Sequence, residues 1–457
     1  MSDCALLPVI GGDLRVPLVM GGDARYTNLD YAASAPSLEV VAARVTEALS
    51  LYASVHRGAG YASRVSTGAY ESARVVVGDF VGARPNDEVI FTRNTTDALN
   101  LLASIVPGET VVLDIEHHAN LLPWVSRNEG SANDGSGNER SGNERSGNAR
   151  VVTAADTIAE TLELVRAELT RRPAALLSVT GASNVTGEIL PLRELATIAH
   201  RFGTRLAVDG AQLVPHRRVN LLLEGIDYLA FSGHKIYAPF GAGVLVGRSD
   251  WLDAGAPYLL GGGAVTTVTV EKTEWRTGPA RHEAGSPNVI GVVALARALE
   301  ELSTLSETEW TTHEGGLRSR LLDGLQSIPG VLVHRIFDDS ADSVGVVSFS
   351  VEGVDSGLLA TYLSAEWGIG VRHGKFCAHP LLARLGVTGP ALRASFGVGS
   401  TDADVDVLLR ALVAFREVGP VASYEFVDAN WTVVDDPREV PAWATAGEGA
   451  GSYGCAA

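Results

Sequence analysis

Cysteine is scarce in this chain: of three among 457 residues, Cys4 and Cys455 sit near the ends and only Cys377 is internal. So few thiols exclude a disulfide framework and suit a reducing compartment. Basic charge is also short, with 36 Lys and Arg against 54 Asp and Glu. The resulting net charge of -18 repels phosphate backbones, which argues against nucleic acid and anionic membrane as partners. No uninterrupted apolar run approaches the roughly 18 residues of a membrane span. The first residues lack both a basic stretch and a long apolar one, so the expected location is the cytoplasm. What remains, 46% hydrophobic and 20% charged residues over 457 positions, is the composition of a globular protein with a large domain and a smaller one.

The opening residues are punctuated by Gly and Pro without a clear period, so residues 1–25 are expected to form an arm, with order beginning near Tyr26. From there to about residue 300, short β-branched runs alternate with helical patterns. Asp87–Thr92 runs straight into a helix capped by Thr or Asn, and Val111–Ile115, Ala174–Val179 and Leu206–Asp209 are further strands. This alternation predicts an α/β fold, a mostly parallel sheet covered on both faces, with the run Tyr237 to Val246 leading into an antiparallel-looking strand. Residues 127–150 interrupt it: Ser-Gly-Asn-Glu-Arg at Ser136 repeats at Ser141 and degenerates at Ser146, with nothing apolar to bury. The expectation there is a disordered insertion. A smaller α/β domain is expected over residues 301–420, with a Trp-, Pro- and Gly-containing tail of unassigned role over 421–457.

The functional groups gather where strands end. Leu206-Ala-Val-Asp-Gly-Ala-Gln212 delivers Asp209, and Ile226-Asp-Tyr-Leu-Ala-Phe ends in Ser232-Gly-His-Lys235. In open α/β sheets ligands sit beyond the carboxyl ends of strands, so the acid and the lysine face one crevice. That pairing suits pyridoxal phosphate, which needs a lysine for its Schiff base and an acid to keep its ring nitrogen protonated. The junction at Arg93-Asn-Thr-Thr offers helix N-H groups and the hydroxyls of Thr95 and Thr96 to a phosphate, though an ordinary N-cap has the same appearance. Glu116-His-His brings adjacent histidines beyond another strand, but no ligand-spaced partners accompany them, so no metal is expected.

Val208-Asp-Gly-Ala-Gln212 with Phe231-Ser-Gly-His-Lys235 resembles the signature of class V, fold-type I pyridoxal-phosphate enzymes, and most closely the SUF-type (group II) cysteine desulfurases. The resemblance runs from about Leu29 to Leu412. It implies a seven-stranded-type large-domain sheet plus the smaller C-terminal domain, and a homodimer with a shared active site. It makes Lys235 the Schiff-base and proton-transfer residue, Asp209 the partner of the ring nitrogen and Gln212 a neighbour of the ring phenolate. Thr95, Thr96, Ser232 and His234 become phosphate anchors, with Ser286 reaching the other subunit's cofactor. His117 stacks on the ring and exchanges protons with substrate. Asn184 lies near cofactor and carboxylate, Arg393 clamps the substrate carboxylate, and Arg372 and His56 are further substrate contacts. A surface-loop role suits His56 equally well on the residues alone.

The resemblance extends to Arg372-His-Gly-Lys-Phe-Cys-Ala-His-Pro-Leu381, and it implies that Cys377 is a nucleophile on a mobile loop, taking sulfur from L-cysteine as a persulfide, releasing alanine and later passing the sulfur to an acceptor protein. His373, Lys375 and Phe376 depart from the Thr and His-His pair usual in that family. With the insertion and the tail, this departure keeps open a class V aminotransferase, epimerase or carbon-sulfur lyase, and a non-catalytic binding protein on the same scaffold.

Overall fold

The computed structural model describes residues 4–56, 58–125, 149–387 and 389–444. Its larger sheet has seven strands, in spatial order Asp87–Thr92, Gly243–Arg248, Tyr228–Ser232, Arg205–Asp209, Leu176–Thr180, Thr110–Leu113 and Ala149–Val152. Gly243–Arg248 runs antiparallel to both neighbours, and the remaining pairings are parallel. The central strands are buried along their whole length because helices cover both faces, which explains why they read as continuous apolar runs. A second sheet, Val331–Val333, Val346–Val351, Ala391–Ser395 and Arg372–Gly374, is antiparallel and has its own core around Leu321, Phe349 and Leu392.

Three segments differ from their sequence reading. The chain is ordered well before Tyr26: Arg15–Pro17 and Asp23–Arg25 pair as a hairpin, and Leu7 and Val9 enter the large core. The Gly21-Gly22 pair that obscured any period is the turn itself, at φ of 88° and 77°. The segment 127–150 ends inside structure, since Ala149 and Arg150 open the outermost strand of the large sheet. Arg150 pairs there with Glu109, and the stretch 126–148 lies outside the described residues.

Finally, Tyr61–Phe80 is a 20-residue helix with no counterpart in the sequence reading. Its buried face, Ser63, Ser66, Tyr70, Ala73, Val77 and Phe80, keeps a strict three-four spacing, but two serines at its start mask the apolar stripe. Among the described residues no helix is long and apolar enough to cross a membrane.

Candidate active site

The carboxyl ends of the parallel strands open into a cavity of about 390 Å³. Strand Arg205–Asp209 stops at Asp209, whose Oδ1 accepts a 2.9 Å bond from the Ala211 N-H and whose side chain is buried. Strand Tyr228–Ser232 passes into one 3-10 turn that carries Lys235 into the same cavity. Burial pushes the Lys235 ammonium down to about 8, partly offset by Asp209, while burial raises Asp209 and Lys235 opposes that rise. The two groups therefore act as one electrostatic unit.

Helix Thr95–Ile105 points its N-terminus at this pair. Asn94 is the cap, accepting the Asp97 N-H at 2.9 Å, and Ser232 Oγ accepts the Thr95 N-H at 2.7 Å. The Thr95 and Ser232 hydroxyls lie 2.6 Å apart, and Thr96 between the capped amides lines the cavity. Gly243 makes this approach feasible, since a Cβ there would lie 2.4 Å from the Asn94 Cα. His234 completes that wall, its imidazole pushed down to about 4 by burial and by Lys235.

His117 caps the far side. Its Nδ1 accepts the Ala119 N-H at 3.0 Å, so the neutral ring carries its proton on Nε2. Burial foremost, then Lys235, His118 and Arg393, depress its basicity to about 3. Behind it Glu116 is fully buried, bonded through Oε2 to Asn120 at 2.7 Å and raised well above the carboxylate range by burial.

The opposite wall belongs to the smaller sheet. Arg393 and Arg372 face each other across an antiparallel ladder, an arrangement of like charges that is unfavourable without an anion. Asp30 supplies one, its carboxylate 3.1 Å from Arg393 and 3.9 Å from Arg372. Arg393 also donates to the Asn184 carbonyl at 3.0 Å, but its buried Nε has no partner among the described residues. Gln212 is similar: Nε2 donates to the Ala32 carbonyl at 2.7 Å, and Oε1 is buried without a partner. Two orphaned polar atoms on residues that line one cavity point to a ligand with more than one polar group.

Cys377 lies in the same wall. Phe376 and Cys377 both hold left-handed φ, 53° and 52°, a conformation that costs energy in two consecutive non-glycine residues. Asn184 Nδ2 donates to the Phe376 carbonyl at 2.7 Å, and the His118 N-H donates to the Cys377 carbonyl at 2.8 Å. The loop that the sequence presents as mobile is thus tethered at two successive carbonyls.

The cavity therefore gathers Thr95, Thr96, His117, Asn184, Asp209, Gln212, Ser232, His234, Lys235, Arg372, Cys377 and Arg393 from the sequence-derived set, and not His56 or Ser286. His56 hydrogen-bonds Glu71 at 2.8 Å on the helix Tyr61–Phe80, and Ser286 is exposed in the loop after Glu283. Through Glu71 and Arg74 the His56 imidazole is linked to Glu283, which accepts from the Tyr70 hydroxyl of that helix at 2.9 Å. Sequence reasoning missed Asp30, although it follows Leu29, where the resemblance begins. No local signal could have found it, because only the fold brings the two arginines that it neutralises beside it.

Residues 27–408 match the class-V aminotransferases. A probable cysteine desulfurase of Halalkalibacterium halodurans is 34% identical over 387 residues, covering 82% of this chain and 90% of that protein. A cysteine desulfurase of Klebsiella pneumoniae is 36% identical over 394 residues, with 84% and 92% covered. The crystal structure of the Escherichia coli cysteine desulfurase CsdA matches with a TM-score of 0.75 and 34% identity, covering 86% of this chain and 95% of that one. Because the matched span contains both strand ends that carry Asp209 and Lys235, and the whole of the opposing wall through Arg393, the chain belongs to the class-V aminotransferase family.

Proposed function

We propose that the protein is a pyridoxal-phosphate-dependent cysteine desulfurase that converts L-cysteine to L-alanine and retains the sulfur as a persulfide on Cys377. The observation that carries this reading is that Cys377 and Lys235 line one cavity. The chain's own groups suit the cofactor. Thr96 and the amide end of its helix, with His234, would suit its phosphate; Asp209 would suit its ring nitrogen; and the orphaned Gln212 amide oxygen would suit a polar substituent of the ring. When bound, pyridoxal phosphate supplies an electron sink for charge developing on the substrate's carbons.

The rest follows from the residues. Arg393 offers Nε and its remaining N-H bonds to the substrate carboxylate, while Asp30 holds the guanidinium in orientation. Lys235, with its basicity near 8, is suited to move the Cα proton near neutral pH. The Cys377 thiolate attacks the substrate's sulfur: an S-S bond forms, the Cβ-S bond breaks and the electron pair stays with Cβ, which gains a proton. Cys377 is oxidised to the persulfide level as Cβ is reduced, so cysteine and thiol give alanine and persulfide with no outside reductant. His117, with its proton on Nε2, stands by to relay protons rather than store them. In this reading the enzyme is a homodimer in which Ser286 serves the neighbouring cavity, and an acceptor protein later removes the sulfur.

The test is product analysis: L-cysteine should yield equal amounts of alanine and protein-bound persulfide sulfur. A keto acid or a racemised amino acid in their place would replace the proposal with the aminotransferase or epimerase alternative. Free sulfide with pyruvate would favour a lyase. For Arg393→Ala we expect an apparent KM raised roughly 10- to 100-fold, the equivalent of the ~1.5–3 kcal/mol of a charged hydrogen bond, with cofactor still bound. Loss of cofactor absorbance in that variant would remove Arg393 from the substrate side of the site.

A further inference from the structure

The chain continues past the family match at residue 408. Beyond the last helix, Tyr424–Val427 and Asn430–Val433 form an antiparallel hairpin whose turn residues, Asp428 and Ala429, take φ of 48° and 60°. Two left-handed residues give a turn whose twist matches that of the strands. The hairpin lies on the helix Ser356–Trp367. At the helix's end Glu366 accepts from the N-H groups of Val421 and Ala422, each at 3.0 Å, and from the Tyr424 hydroxyl at 2.9 Å. One carboxylate thus gathers the whole base of the hairpin. In mid-helix, Thr361 Oγ1 donates to the Trp431 carbonyl at 3.3 Å.

The helix's first turn is where this addition meets the site. A Cβ built on Gly357 would lie 3.1 Å from Trp431 Cδ1 and 3.5 Å from His373 Cε1, so the indole and the imidazole converge on the space that glycine leaves. His373 and its neighbour Arg372 line the cavity. Their strand, Arg372–Gly374, is three residues long, sits at the edge of its sheet and contributes few constraints of its own. Trp431 Nε1 is buried without a hydrogen-bond partner among the described residues, and the ring meets Phe426 at 5.5 Å between centroids. Packing rather than hydrogen bonding therefore holds the indole, as expected of a residue whose shape is its contribution.

We propose that the C-terminal hairpin braces the substrate wall, with Trp431 as a positioning residue that sets His373, and through it the edge strand bearing Arg372, for contact with the amino-acid substrate. The part concerning substrate rests on the desulfurase reading; the brace itself does not. His373 is one of the positions at which this chain departs from the family motif.

The test uses the full-length, cofactor-loaded protein and the variants Trp431→Ala, Trp431→Phe, His373→Ala and the double Trp431→Ala/His373→Ala. Histidine-labelled NMR reads the brace without activity. The His373 Cε1-H resonance, assigned by its loss in His373→Ala, should shift clearly in Trp431→Ala and much less in Trp431→Phe. Kinetics read the consequence: Trp431→Ala should raise KM for L-cysteine roughly fivefold with kcat unchanged, and the double variant should show no more than the larger single effect. An unshifted resonance, or KM effects that multiply, would overturn the proposal. A shifted resonance in a protein that does not turn over cysteine would keep the brace and reject the desulfurase reading. Thermal melts separate general destabilisation, which lowers the active fraction and hence kcat, from the expected change in KM alone.

Discussion

Lys235→Ala should abolish the visible absorbance of lysine-linked pyridoxal phosphate, let the cofactor escape on dialysis, and lower turnover by about 10²–10⁴-fold. The chain has three lysines, and their settings differ sharply. Lys272 is on an exposed turn and pairs with Glu274 at 2.6 Å. Lys375 is half-buried in the Cys377 loop. Lys235 alone is delivered by a central strand into the cavity that Asp209 also lines. Burial favours its neutral amine, the form that bonds a carbonyl carbon, and brings its proton equilibrium to about 8, where the same nitrogen can later take and return a substrate proton. Alanine removes both capacities while deleting a buried charge, so the fold should survive. Absorbance spectra before and after dialysis, with a melt to confirm folding, decide the matter. A persistent chromophore would assign the covalent link to Lys375 and dissolve the argument built on the two strand ends.

How much of this was legible in the sequence depended on whether a residue's role is local. Asp209, Lys235, Thr95 and Thr96 occupy strand ends and a helix start, where periodicity stops and a polar group must face outward, so their placement followed from the chain pattern. An antiparallel strand was also expected from the run Tyr237 to Val246, and it is observed as Gly243–Arg248. Asp30 was not legible in that way, since its role exists only after two arginines some 340 and more residues later are laid side by side in a ladder. The helix Tyr61–Phe80 was lost for a related reason: its serines count as polar in sequence, yet Ser63 and Ser66 are buried, their hydroxyls bonded to the carbonyls of Ser54 and Leu51. The tail had no readable role because its packing surface, the helix Ser356–Trp367, belongs to another part of the chain.

Cys377→Ser should leave the cofactor bound and reduce alanine and persulfide formation by about 10³-fold or more, the scale on which deletion of a nucleophile acts in covalent enzymes. The substitution changes one atom and keeps the side chain's shape. The tethers from Asn184 and the His118 N-H reach backbone carbonyls, so they do not depend on sulfur, and neither does the guanidinium of Arg393 over Phe376 at 5.2 Å. The loop should therefore hold its left-handed geometry, and early proton transfer by Lys235 should persist. What is lost is a polarizable thiolate. A serine hydroxyl stays protonated near neutral pH and is a poor nucleophile toward sulfur. Cys4 is exposed near the start of the chain, and Cys455 lies outside the described residues. The Cys4→Ser/Cys455→Ser double variant should retain full activity. Measuring alanine, persulfide and free sulfide for wild type, Cys377→Ser and that double variant separates the outcomes. Exchange of the substrate Cα proton with solvent deuterium should continue in Cys377→Ser while product formation stops, which places the block at sulfur transfer. Full turnover by Cys377→Ser would falsify the persulfide mechanism and return the enzyme to the aminotransferase-like reading.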